Sequence, residues 1–176
     1  MPASVSVKQR TGASGTPTDT SITNLRMTLA DVANNGASNP LAAPAAGSIQ
    51  SFWSSLFLNA DTSPAGTINN IKWYTTGSNP WTGVTLQVAT AGAYTQATGT
   101  ASSGTVLSAP NYPGLVASPV DGFTKTSTTP LSVNGTITNP STGKISDFVI
   151  KQLTVVSTAI QGTLAASTGT FQYDEN

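Results

Sequence analysis

The chain has no histidine and no cysteine, and its single glutamate is Glu175. Without histidine, no side chain has an unperturbed pKa near neutrality, and Ser-His-Asp or Cys-His catalysis is excluded. Without cysteine there is neither a disulfide framework nor a thiolate metal site. Charge is scarce as well: seven Lys and Arg balance seven Asp and Glu, which together make 8% of 176 residues. That fraction is about a third of the ~25% usual in soluble domains. The cations are spread singly, so the electrostatic footprint of a nucleic-acid binder is missing. No apolar run approaches the length of a membrane span. The first ten residues carry no apolar signal region, so synthesis in the cytoplasm without a secretory signal is expected. Together these absences argue against an enzyme and predict no cofactor.

The few ionisable groups are poorly arranged for chemistry. Asp174 and Glu175 are neighbours, and neighbours on a strand point to opposite faces, so they read as a solvated tail. Asp19, Asp31, Asp61, Asp121 and Asp147 are scattered, with no run of calcium-loop type, and no metal site is expected. A Ser-Lys pair would have to draw on Lys72, Lys144 or Lys151, and nothing marks a serine for it. Asn134-Gly135-Thr136 has the form of a glycosylation acceptor, but no modification is expected without a secretory signal.

What the chain does have is β-forming residues and turn formers. Val84, Leu86 and Val88 alternate with polar or small residues, as in a half-buried strand. Val149, Leu153 and Val155 hold one phase of a second strand, and Phe148, Ile150 and Val156 the other. Residues 48–60 are aromatic-rich with apolar side chains on both faces, which predicts a central strand or one facing a neighbour. Further strands are expected within 20–30, 67–75, 131–138 (a strand or hairpin about Asn134-Gly135) and 162–173. Residues 34–47 and 91–130 read as long loops rich in Gly and Pro. No capped amphipathic helix is visible. The expectation is an all-β protein, an antiparallel β-sandwich of jelly-roll or immunoglobulin-like type, with long loops and an extended N-terminal arm. The arm spans 1–19 and the single sandwich domain 20–176.

Two groups of residues are candidates for contact with a partner. Ser4, Val5, Val7, Lys8 and Arg10 lie in the arm, where alternation permits a short strand that could add to a neighbour's sheet. Trp81 in Asn-Pro-Trp-Thr-Gly and Tyr112 in Pro-Asn-Tyr-Pro are loop aromatics that could stack on a sugar. The alternative for both rings is packing onto the sandwich edge or a neighbour.

Two stretches carry a family resemblance: Thr-Ile-Asn-Asn-Ile-Lys-Trp-Tyr at 67–74 and Gly-Thr-Phe-Gln-Tyr-Asp-Glu at 169–175. With the arm and the uncharged Thr/Ser/Ala/Gly-rich sandwich, the chain resembles β-sandwich virion proteins of tailed bacteriophages and archaeal viruses, of the capsid decoration type. The resemblance implies a non-enzymatic protein on the virion surface that cements capsomers. Its implied partners are further copies of itself, with a trimer favoured, and the major capsid protein, with Lys8 and Arg10 on an acidic capsid surface. Two other readings stay open: a subunit of a tail tube or extracellular filament, and a carbohydrate-binding or adhesion module.

Overall fold

A computed structural model describes residues 2–33, 38–162 and 164–176. Two antiparallel sheets pack face to face as a β-sandwich, and the described residues contain no α-helix. The strands are β1 (Val5–Thr11), β2 (Thr18–Ser21), β3 (Ser48–Gln50), β4 (Ser54–Ala60), β5 (Thr67–Thr75), β6 (Val84–Ala91), β7 (Val120–Asp121), β8 (Leu131–Ser132), β9 (Ile137–Thr138), β10 (Gly143–Lys144), β11 (Phe148–Val156) and β12 (Gly169–Glu175). The large sheet runs β2-β1-β4-β11-β6-β7, with β10 also on β4 and β3 also on β11. The small sheet runs β12-β5-β8, with β9 on β5.

Alternation decides which residues enter the core between the sheets. Val84, Leu86 and Val88 of β6 stand opposite Val155, Leu153 and Lys151 of β11, so these six share the inner face. Leu58 and Ala60 of β4, with Ile68, Ile71 and Trp73 of β5, complete that core.

The large sheet is buried on its other face too. Every residue of β4 is buried, so the second half of the two-faced stretch 48–60 is a central strand, whereas β3 is a separate short strand and Ser51, Phe52 and Trp53 lie between the two. Phe57 of β4 meets Phe148 edge-on, with ring centroids 5.4 Å apart. Residues 92–119, expected as a loop, fold over this outer face and close a second core containing Trp53, Leu107, Tyr112 and Ile150. Fully buried Gln152 holds the cover down. Its Nε2 donates to the carbonyls of Ser51 (2.8 Å) and Thr105 (2.7 Å), and its Oε1 accepts from the Leu107 N–H (2.7 Å). Gly104 allows the closest approach, because a Cβ there would lie 2.2 Å from the Ser51 carbonyl oxygen.

Several expected elements differ. Residues 4–10 are not a detached arm: β1 pairs with β4 on one side and with β2 on the other, so the boundary at 19/20 falls inside β2. The inward Val5 and Val7 supply the reason, since burying them in the chain's own core is favourable without a partner. Within 20–30 only Thr20 and Ser21 are in a strand. The stretch 131–138 is no hairpin. β8 and β9 both pair with β5, as one interrupted strand. The interruption matches a bulge in β5, where Asn70 takes φ 51°. In the loop expected at 34–47, residues 34–37 lie outside the described residues, as does Thr163 of the stretch 162–173.

Replacing Gln152 with Leu leaves two buried backbone groups and a part-buried one unpaired and is expected to lower stability by about 3 kcal/mol. Chemical denaturation checks the loss, and limited proteolysis should report faster cutting within 92–119 than elsewhere.

Candidate functional site: an open edge over a cavity

The small sheet is narrower than the large one, so part of the large sheet's inner face is covered by irregular chain instead of strands. Residues 22–28, 40–43, 159–162 and 164–168 form that cover, and beneath it lies a cavity of about 850 Å³. Gly169 and Phe171 of β12 line it, so the edge strand of the small sheet is also a wall of the cavity.

β12 pairs with β5 and, among the described residues, with no other strand. It is seven residues long, whereas the outermost strands elsewhere, β2, β7, β8 and β9, have two to four. Thr67 and Asn176 exchange both backbone hydrogen bonds, at 2.8 and 3.0 Å. Counting back by the alternation of an antiparallel ladder, Phe171, Tyr173 and Glu175 turn their backbone groups to the free edge. Its two acids do not guard that edge, because both are engaged. Asp174 accepts from the Asn70 side chain at 2.7 Å, and Glu175 accepts from the N–H groups of Ala3 and Ala65, both at 3.0 Å. The expected solvated tail is therefore a clasp between the two ends of the chain.

Lys151 is the unusual residue of the cavity. It shares the parity of Val149, Leu153 and Val155 on β11, so the strand aims it into the apolar interior. Its Nζ stands 4.6 Å from the centre of the Trp73 ring. Among the described residues Nζ makes no hydrogen bond and no ion pair. Burial pushes this ammonium down from its ordinary value to about 8. The fit depends on Gly169, where a Cβ would lie 2.8 Å from Nζ and 3.0 Å from the Trp73 ring. Sequence reasoning named Lys151 only as one of three lysines. Its shared parity with three inward apolar residues was the signal that marks it.

The other candidate residues separate. Lys8 lies 3.8 Å from Asp61, and Arg10 makes paired 2.7 Å bonds to Asp19 while covering the rings of Phe57 and Phe148. Both cations thus have partners within the chain, and Ser4 gives its backbone N–H to Thr62 Oγ1. Tyr112 has no exposed surface. Its ring packs on Trp53 and its hydroxyl reaches Ser55 Oγ at 3.2 Å, so it offers no face to a sugar. Trp81 is half-buried at the cavity, edge-on to Phe123, with Nε1 donating to the Ala165 carbonyl. The scattered aspartates serve local roles: Asp31 accepts from the Gly12 N–H and Asp121 from the Phe123 N–H. Among the described residues no three acidic side chains gather as a metal site would require.

No family model, curated protein or solved structure matches the chain.

A lysine whose pKa falls on folding destabilises the native state below about pH 8, and that penalty disappears as pH rises toward 10. Lys144, also lowered by burial, contributes in the same direction. Above pH 10 Tyr94 and Tyr112, both raised by burial, act oppositely, because the unfolded chain loses their protons first. Lys151→Met removes only the first effect. It is expected to raise stability at pH 7 by roughly 3 kcal/mol, with the gain over wild type shrinking between pH 8 and 10. Denaturant melts of both proteins across that range check it.

Proposed function

We propose that this chain is a non-enzymatic structural protein that associates through the free edge of β12, and that it serves as a decoration protein on a viral capsid surface. The observation that carries the reading is the long edge strand, unpaired on one side, with outward backbone groups, no proline, and both its carboxylates hydrogen-bonded within the chain. Natural sheets commonly blunt such an edge unless a strand is to be added to it. The capsid setting comes from the sequence resemblance. The near-absence of charge supports it, since a neutral surface packs closely against copies of itself with little repulsion.

In this mechanism a neighbouring strand extends the small sheet, and backbone hydrogen bonds supply affinity with little demand on side-chain identity. Repetition over a lattice multiplies weak single contacts. The edge-adding role expected of residues 4–10 passes to β12, because β1 is paired with β4 from Val5 to Arg10 and with β2 from Lys8 to Thr11. The partners in this reading are further copies of the chain, as a trimer, and the major capsid protein.

The test uses Thr170→Glu combined with Gln172→Glu. Both side chains lie on the polar outer face of the small sheet, and residue 172 stands opposite Lys72, so the fold tolerates them. Wild type is expected to form a discrete small oligomer by light scattering and to stay on purified capsids, with the double variant at least tenfold weaker in both assays. Growth into open polymers would favour the tube or filament reading instead. A wild type that is monomeric and leaves capsids unoccupied would overturn the proposal.

A further inference from the structure

The cavity beneath β12 has a chemistry of its own that edge pairing does not use. Among the described residues its only charged lining side chains are Lys151 and Arg26, and no carboxylate lines it. We propose that it binds a single-chain amphiphile with a carboxylate head, of fatty-acid type, with the head on Lys151 and the tail along the apolar wall. The inference does not depend on the capsid reading.

Three observations converge on that ligand. The first is the missing counter-ion. Val149 and Leu153 flank Lys151 along its strand, Ser54 and Val88 flank it across the ladder, and Trp73 faces it from the other sheet. None of these is an anion, and a partly buried ammonium set among apolar side chains without one is disfavoured. A carboxylate head would supply the missing charge through a charge-assisted hydrogen bond. The second is the wall. Leu86, Leu153, Val155, Trp81, Leu164 and Phe171 form an apolar stretch of the lining that suits a hydrocarbon chain, while Thr23, Asn24, Gln161, Ser167 and Thr168 make the rest of it polar, as an amphiphile requires. The third is size and access. About 850 Å³ lies within the range of small-molecule sites. The cover includes exposed Arg26, which attracts anions toward the opening, and Ile160, 69% exposed, gives a tail a first apolar contact.

The cover also accounts for how a ligand enters. It consists of irregular segments, so opening it breaks no strand ladder. Gly169 leaves the space beside Nζ open to the head, since a Cβ there would lie 2.8 Å from that atom.

The test titrates the full chain with dodecanoate and, separately, with dodecanol, each below its aggregation limit. Calorimetry gives affinity, and the fluorescence of Trp73 and Trp81 reports occupancy of the cavity they line. Wild type is expected to bind dodecanoate at least tenfold more tightly than dodecanol at pH 7. Lys151→Met is expected to bind both about equally, with the tail contact retained. Raising the pH from 7 to 10 should weaken dodecanoate and leave dodecanol unchanged, because Lys151 loses its proton over that range. Absence of binding by either compound would overturn the proposal. So would equal affinities in wild type, or a carboxylate preference that survives in Lys151→Met.

Discussion

Burial of β4 on both faces is the constraint from which the rest follows. A strand without an exposed side chain needs a layer on each side, and one sheet therefore serves two cores. The small sheet covers one face and residues 92–119 cover the other. The second cover contains almost no regular structure, so its own backbone bonds cannot hold it. Bonds to the sheet do so instead: Gln152 above all, with Ser55 reaching Tyr112, and the Gln50 and Thr90 carbonyls accepting from the N–H groups of Gly104 and Val116. This division lets a chain with few charged groups keep a Thr- and Ser-rich exterior while sheltering large aromatic residues.

What was legible in the sequence was periodicity. Val84-Leu86-Val88 and Val149-Leu153-Val155 announced the inner faces of β6 and β11, and the two-faced 48–60 stretch announced a central strand. What was not legible depended on contacts distant in sequence. Val5 and Val7 are too few to distinguish a docked strand from a free one; their burial comes from β4, some fifty positions away. Tyr112 sits among prolines and glycine, and that composition describes a backbone path without saying what lies beneath it. The bulge at Asn70 and the broken partner strand opposite are set by one backbone angle that Asn tolerates.

The open edge and the cavity share a physical origin: the small sheet is about one strand too narrow for the surface it must cover. The mismatch leaves the backbone of β12 unpaired on one side and the interior beside it incompletely filled. Lys151 occupies that interior at a cost to stability that a leucine would avoid, and Gly169 leaves it room. A fold selected for stability alone would have closed the gap with an apolar side chain.

The clasp at Glu175 has a different consequence. By accepting from Ala3 it joins positions 172 apart and ties the first strand of one sheet to the last strand of the other. The two sheets are thus fastened at one corner by the chain's extremities. A short linker there could join the ends into a ring, and new ends could be opened at the exposed turn around Ser102. Such a circularly permuted chain would keep every strand pairing while making β12 an interior segment, held in its sheet by chain on both sides.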